Sequence, residues 1–163
     1  AGSDAKVAFL RERLKLHAAF NYKRVASYDA ALAEHCPDGL DMYFDNVGGE
    51  ALEAVLSHVR PFARLPLCGM ISRYNEEGGY GVRNLTQVNR MRLTLQGYIV
   101  RDHYHLLPEY LQRMAGWLKD GRVKYIEDVT QGLDNAPAAF ISMLKGGNHG
   151  KQVVQIAGDP TRS

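Results

Sequence analysis

The sequence DMYFDNVGGEALEAVLSHVRPFARLPLCGMISRYN, residues 41–75, contains two short apolar runs that each end in polar residues and glycine. Between the two runs, apolar residues recur at helical spacing, which predicts an amphipathic helix over 50–59 closed by Pro61. Strands at 41–45 and 63–68 that flank such a helix pair in parallel, because a parallel neighbour needs a long crossover. The stretch therefore predicts an open, parallel α/β sheet.

The rest of the chain alternates in the same way between helical and strand patterns. Ser3 and Ser27 are typical N-cap residues and predict two helix starts. The predicted helices cover 4–14, 28–34, 85–91, 108–118 and 136–145, and the further predicted strands cover 17–22, 92–100, 123–129 and 151–157. We therefore expect a doubly wound α/β fold with helices on both faces of a parallel sheet.

Composition and charge exclude several classes of function. The 163 residues suit one domain with a core, and 20 basic against 18 acidic side chains leave a net charge of +2, too small to attract nucleic acid or anionic lipid. No apolar run approaches the ~20 residues of a membrane span, and no signal-peptide pattern opens the sequence. Cys36 and Cys68 lack the CxxC spacing of zinc sites. We therefore expect a cytoplasmic protein with two reduced thiols and no metal.

Ligands of such sheets bind beyond the carboxyl ends of the strands. The segments 46–49 and 69–74 follow the two strands of the opening stretch, so we expect them to be adjacent. Glycine lets a ligand approach the main chain closely, and Asn46 and Tyr74 supply hydrogen bonds. A tight turn before a helix explains the Gly-Gly pair equally well. Pro66 cannot donate to a sheet ladder, which predicts a local irregularity in the second strand.

Seven motifs carry a resemblance to a known family: AGSDAK, FNYK, FDNVGGE, CGMISRYN, GYIV, LKDGRVKYIEDVTQGLDNAPAAF and GGNHGK. Their order and spacing resemble those of the NADPH-dependent alkenal and prostaglandin double-bond reductases, a zinc-free branch of the medium-chain dehydrogenases and reductases. The resemblance implies NADPH as cofactor and a small enone or enal as substrate. The chemistry it implies is hydride transfer to the β-carbon, followed by protonation of the enolate.

The family also has features that this sequence does not contain: a GroES-like substrate domain, a first Rossmann strand and a glycine-rich pyrophosphate turn. We therefore expect the C-terminal part of such a reductase, with a partial Rossmann-type, doubly wound parallel sheet that lacks its first strands. Residues 1–157 form the expected nucleotide-binding region, of which 123–157 return toward the substrate domain, and 158–163 form a tail. We expect this chain alone to be inactive.

The resemblance also implies site residues. Lys6 resembles a lysine that pairs with the 2′-phosphate of NADPH, and Tyr22 resembles a tyrosine that contacts the same region; a solvated lysine and a half-buried tyrosine are the alternatives. Tyr74 is the catalytic candidate, because a phenol donates a hydrogen bond to an enolate oxygen; a tyrosine that only positions the cofactor is the alternative. The other expected cofactor contacts are Asn46, Cys68, Gly69, Met70, Ile71, Ser72, Tyr74 itself, Tyr98, Ile99, Val100 and Asn148.

Other classes of function stay open on the sequence. A non-catalytic dimerisation module would pair through the edge strand at 92–100, and we expect the reductase also to be a homodimer through its nucleotide-binding region. A Rossmann-type methyltransferase would likewise place polar groups such as Asp45 and Asn46 after a strand, but it needs a glycine-rich first turn. His103 and His105 have no third metal ligand placed by the sequence, which favours a solvated loop.

Overall fold

The computed structural model describes residues 1–74 and 80–158, with only the main chain at Arg73. Most of the predicted glycine-rich loop at 75–81 and all of the predicted tail except Gly158 lie outside the described residues. Within the described ranges, no helix is both long and apolar enough to cross a membrane.

The chain alternates between helices and strands as the sequence predicts. The helices are α1 (Asp4–Ala8), α2 (Tyr28–His35), α3 (Gly49–Ser57), α4 (Thr86–Arg90), α5 (Leu107–Lys119) and α6 (Ala136–Leu144). A π-helical turn (Phe9–Arg13) continues α1. The strands are β1 (Leu40–Met42), β2 (Val59–Leu67), β3 (Thr94–Gly97), β4 (Glu127–Gln131) and β5 (Lys151–Gln155). Short 3₁₀ turns occupy Ile71–Arg73, Val100–Leu106 and Leu133–Asn135.

Every strand pair in the described part of the chain is parallel. One sheet has the order β1-β2-β3 and a second consists of β4 and β5. Each parallel pair is joined by a connection that contains at least one helix, as parallel pairing requires. The predicted parallel α/β class is confirmed.

The predicted helix starts follow from local hydrogen bonding. Ser3 Oγ accepts a hydrogen bond from Lys6 N (3.3 Å), and Ser27 Oγ accepts one from Ala30 N (3.0 Å). Each hydroxyl satisfies a main-chain donor that the first helical turn leaves free. Both N-cap predictions are confirmed.

The core lies between α3 and β2. Leu52, Val55 and Leu56 of α3 pack with Ala63 and Leu65 of β2 as a buried cluster. The α3 residues fall on the apolar stripe that the sequence shows, and the strand residues alternate with exposed neighbours. This packing fixes where the loops at the ends of β1 and β2 leave the sheet.

Two details of the prediction are wrong. The helix ends at Ser57, and Pro61 lies inside β2, where the register between β1 and β2 shifts and Phe62 adopts a positive φ of 67°. A residue without an N–H is tolerated at such an irregularity because no ladder bond is required there.

The second wrong detail is the strand at 17–22, a range in which the structure has no strand. Ala1 N donates to Phe20 O (2.8 Å) and Tyr22 N donates to Ala1 O (3.0 Å). This is the pattern of a single parallel bridge, which is too short to form a ladder.

The predicted irregularity at Pro66 lies on the β1 side of β2. Tyr43 N donates to Arg64 O (3.1 Å) and Asp45 N donates to Pro66 O (2.9 Å), as in a parallel ladder. The intervening donor to Tyr43 O would be the N–H that proline lacks. The ladder is therefore interrupted: β1 ends at Met42, and Asp45 and Leu67 form an isolated bridge.

Candidate functional site

A buried carboxylate organises the carboxyl end of β1. Asp45 is fully buried, and its Oδ1 accepts hydrogen bonds from Tyr43 Oη (3.0 Å), Val47 N (2.8 Å) and Gly48 N (3.0 Å). Burial, and then the neighbouring carboxylate, raise the pKa of Tyr43 well above its ordinary value. The side chain of Asp45 thus fixes the turn that leads into α3.

Sequence reasoning did not include Asp45 among the site residues. The available signal was an acidic residue that directly follows an apolar run and precedes Asn46. Such a position is a good place for a carboxylate to accept main-chain N–H groups of the following turn.

The two predicted loop segments are in direct contact. Asp45 O accepts hydrogen bonds from Cys68 N (2.7 Å) and Gly69 N (3.2 Å). Asn46 O accepts one from Ile71 N at 3.1 Å. Val47 O accepts from Ser72 through both its N (3.2 Å) and its Oγ (2.5 Å). The predicted adjacency of 46–49 and 69–74 is confirmed.

Glycine is required where these segments touch. Gly48 and Gly49 have positive φ values of 68° and 56°, which side chains other than glycine rarely adopt. A β-carbon on Gly49 would lie 2.9 Å from Ser72 Oγ, and one on Gly69 would lie 3.2 Å from Tyr74 Oη. The Gly-Gly pair therefore serves both the turn into α3 and the close approach of the neighbouring loop.

A cleft of about 410 Å³ opens at the carboxyl ends of β2 and β3. Tyr98 N donates to Leu67 O (3.0 Å), which holds the two strand ends together. The cleft brings five predicted contacts from distant parts of the sequence to one place, and its lining is Leu67, Cys68, Gly69, Met70, Gly97, Tyr98, Ile99 and Asp102. Val100 follows this lining and begins the next 3₁₀ turn.

Two adjoining cavities lie against α3. One, of about 330 Å³, is lined by Ser72 and the N-terminal turn of α3, and the other, of about 630 Å³, reaches Tyr22. Both share Tyr28, Glu50 and Tyr80, and the rings of Tyr22 and Tyr28 stack with centroids 6.2 Å apart. A continuous surface therefore leads from Tyr22 to Ser72.

Lys6 and Asn148 belong to a third region. Lys6 Nζ donates to Gly146 O (2.7 Å), and the ring of Phe9 meets that of His149 edge to face at 5.2 Å. Asn148 Nδ2 donates to Gly150 O (2.7 Å) within its own loop. The structure thus brings the loop of Asn148 against α1, although the resemblance assigns Lys6 and Asn148 to opposite ends of the cofactor.

Tyr74 follows the 3₁₀ turn that ends the second loop segment. Its main-chain N donates to Ile71 O (3.3 Å), and its side chain is 69% exposed. Its hydroxyl lies beside Gly69, where a β-carbon would come within 3.2 Å of it. Asn46, whose main-chain oxygen is bound to Ile71, is also exposed.

The described residues do not form a metal site. Within 1–74 and 80–158, no three His, Cys, Asp or Glu side chains lie close enough together to hold a metal ion. The imidazole of His103 instead stacks on the ring of Tyr98, with centroids 4.7 Å apart. The predicted solvated loop is thus a 3₁₀ turn that packs on a residue of the cleft.

The largest of these cavities has an ion pair on its wall. The Glu53 carboxylate accepts hydrogen bonds from Arg83 Nη2 (2.7 Å), Nε (3.1 Å) and main-chain N (2.9 Å). The Arg83 side chain first, and then its main-chain N–H, lower the pKa of Glu53 to about 2. The segment that precedes α4 is thereby fastened to α3.

Glu53→Gln should make the free energy of unfolding depend less on pH in the acid range. The folded-state pKa of about 2 lies below the ordinary 4.5, so the unfolded chain takes up the proton first as the pH falls. The stabilisation by Glu53 is therefore complete above pH 4.5 and is lost as the pH approaches 2. Urea unfolding measured between pH 4.5 and pH 2 should show that the free energy of unfolding falls more steeply for wild type than for Glu53→Gln. Equal slopes would contradict this assignment; Glu109→Gln, in an exposed pair with Arg113 on α5, is the control.

The chain is similar to known proteins over most of its length. Residues 1–116 match the family described as zinc-binding dehydrogenase. The chain is 43% identical to (+)-pulegone reductase of Mentha piperita and 45% identical to 2-alkenal reductase (NADP(+)-dependent) of Nicotiana tabacum, each over 96% of this chain and 46% of the relative. The crystal structure of CurA from Vibrio vulnificus in complex with NADPH has a TM-score of 0.87 at 36% identity, covering 98% of this chain and 49% of CurA. The chain therefore spans about half the length of these relatives.

Proposed function

The chain belongs to the zinc-binding dehydrogenase family, and on this basis we propose that it forms the nucleotide-binding part of a reductase that uses NADPH to reduce the carbon–carbon double bond of α,β-unsaturated ketones and aldehydes. The observation that carries the proposal is the cleft in which Cys68, Gly69 and Met70 meet Tyr98 and Ile99. The activity belongs to a protein of the relatives' full length, called here the complete reductase.

The cleft and cavities of the described residues suit an extended dinucleotide better than a compact ligand. The lining of the cleft at β2 and β3 includes Met70, and the surface that leads to Tyr22 begins at Ser72, two residues farther along the same loop. Glycine at 48, 49 and 69 leaves these three positions without a β-carbon, so that the two segments approach each other closely. An extended ligand with one end at Tyr22 and the other at Tyr98 has room along this surface.

The reaction needs a hydride source and a stabilised enolate. NADPH supplies the hydride when it is bound. Cys68, Gly69 and Met70, together with Tyr98 and Ile99, line the cleft that would hold the reduced ring. Asn46, Ile71 and Ser72 lie next to this lining and would contact the same cofactor. The hydroxyl of Tyr74, a largely exposed residue, would donate a hydrogen bond to the carbonyl oxygen, where negative charge develops.

The cofactor preference is assigned to Lys6. Lys6→Ala in the complete reductase should weaken NADPH binding by about 1–3 kcal/mol and NADH binding much less, because a charge-assisted bond to the 2′-phosphate is lost. Within the described residues, the Lys6 ammonium group donates to the neutral oxygen of Gly146; an ammonium group has three donors, so others can bind phosphate. Fluorescence titration with both cofactors measures the difference. Lys119→Ala, at the end of α5, is the control, and equal weakening of the two cofactors by Lys6→Ala would contradict the assignment.

The proposed activity is tested by NADPH oxidation with and without a simple enone. We expect oxidation only when the enone is present, with the saturated ketone formed in equal amount. NADPH oxidation without enone reduction, or no oxidation with any enone or enal, would contradict the proposal.

We further propose that the reductase works without zinc, as the resemblance of its motifs to a zinc-free branch of the family implies. We propose that it is a cytoplasmic homodimer. Two free cysteines, Cys36 and Cys68, support a reducing compartment. Within the described residues β3 lies at one edge of the three-stranded sheet, and such an edge can pair with the same strand of a second copy.

A further inference from the structure

The imidazole of His103 lies flat against the ring of Tyr98. The centroids are 4.7 Å apart and the planes are inclined by only 11°. His103 has φ −113° and ψ 15°, which breaks the 3₁₀ turn Val100–Leu106 at this residue. The ring of His105 lies 6.1 Å from that of His103 and is tilted by 43° to it, so His105 does not continue the flat stack.

The stack affects the shape of the cleft because Tyr98 is one of the residues that line it. Tyr98 lines the cleft with Ile99 and Asp102, whereas His103 is not part of the lining. Hydrogen bonding to Leu67 O fixes the main chain of Tyr98 (3.0 Å), but a tyrosine ring still has its χ1 and χ2 torsions. A flat contact on one face of the ring leaves it fewer orientations.

We propose that His103 is a positioning residue that holds the ring of Tyr98 in the orientation that NADPH binding requires; the inference rests on the proposed function. His103 acts through Tyr98 and does not touch the cofactor. Preorganisation of a wall residue in the free protein lowers the ordering cost of binding.

The geometry distinguishes this role from two others. A proton relay requires a hydrogen bond between an imidazole nitrogen and the phenol oxygen, but the near-parallel planes place the imidazole over the face of the phenol ring. A metal site requires at least one more ligand, and none is near within the described residues. Stacking is a property of the ring plane, so a different planar ring should replace the imidazole.

The experiment compares His103→Ala, His103→Phe and the control His105→Ala in the complete reductase. We expect His103→Ala to raise the Kd and KM for NADPH roughly three- to tenfold, the range of an aromatic pair, with kcat within about twofold, because binding is lost equally in the ground and transition states. His103→Phe should restore the Kd, and His105→Ala should leave it unchanged.

A measurement without cofactor tests the stack itself. In NMR spectra of the NADPH-free protein, the chemical shifts of the Tyr98 ring protons should change in His103→Ala, because the stacked ring is lost. In His103→Phe these protons should still show the shift that a stacked aromatic ring causes. Unchanged Tyr98 resonances in His103→Ala, or a Kd for His103→Phe as weak as that for His103→Ala, would overturn the inference while the proposed function stands. Failure of wild type to bind NADPH would overturn the proposed function and, with it, the role of His103.

Discussion

Asp45→Ala should lower the free energy of unfolding by about 3–5 kcal/mol, because it removes the one acceptor that three hydrogen bonds of this turn share. The substitution leaves three donors, Tyr43 Oη, Val47 N and Gly48 N, without their acceptor. Each orphaned buried donor costs about 1–3 kcal/mol, partly offset because a buried charge is removed. Urea unfolding of wild type and variant, followed by circular dichroism, measures the difference.

Two variants make this prediction specific. Asp45→Asn keeps an oxygen that can accept the same three hydrogen bonds, so its loss should be clearly smaller than that of Asp45→Ala. Asp41→Ala removes an exposed carboxylate whose partner is Arg60 (3.2 Å) and should cost less than about 1 kcal/mol. If Asp45→Ala were no more destabilising than Asp41→Ala, Asp45 would not organise the turn.

Tyr74→Phe should lower kcat of the complete reductase about 100-fold, as the loss of a hydrogen-bond donor to a developing oxyanion does elsewhere. The Kd for NADPH should stay within about twofold, because the ring remains and only the hydroxyl is lost. The side chain is 69% exposed, so removal of its oxygen should leave the stability unchanged. Single-turnover kinetics and NADPH titration separate the two effects.

Tyr110→Phe is the matched control for this prediction. Tyr110 is a half-exposed tyrosine on α5, a helix to which no catalytic role is assigned. A Kd for NADPH that rises in step with the fall in kcat of Tyr74→Phe would mean that Tyr74 only positions the cofactor.

The fold was predictable where the pattern is local. Apolar spacing in 50–59 and the caps at Ser3 and Ser27 depend on neighbouring residues, and the structure confirms the helices that they predict. Parallel pairing followed from the lengths of the connections. The contact between 46–49 and 69–74 followed in turn, because the carboxyl ends of parallel neighbours lie at one edge of the sheet.

The errors arose at positions where tertiary contacts determine the secondary structure. Pro61 is a good helix terminator, but the helix had already ended at Ser57 and an irregular strand accepts proline. The range 17–22 has a suitable pattern, but among the described residues it forms no ladder and bonds Ala1 through two main-chain hydrogen bonds.

Two site features depend on contacts that sequence does not reveal. The three hydrogen bonds of Asp45 converge only when the turn is folded, and its burial was not predicted. The contact of His103 with Tyr98 depends on a break in a 3₁₀ turn, so the histidine pair read as a solvated loop.

The most direct test of the account follows deuterium from labelled cofactor into product. The complete reductase is given NADPH deuterated at the transferable C4 position and an enone, and the product is analysed by NMR and mass spectrometry. We expect a saturated ketone with one deuterium on the β-carbon and a solvent-derived proton on the α-carbon. Deuterium on the carbonyl carbon of an allylic alcohol, as a carbonyl-reducing dehydrogenase would place it, would contradict the proposed double-bond reduction.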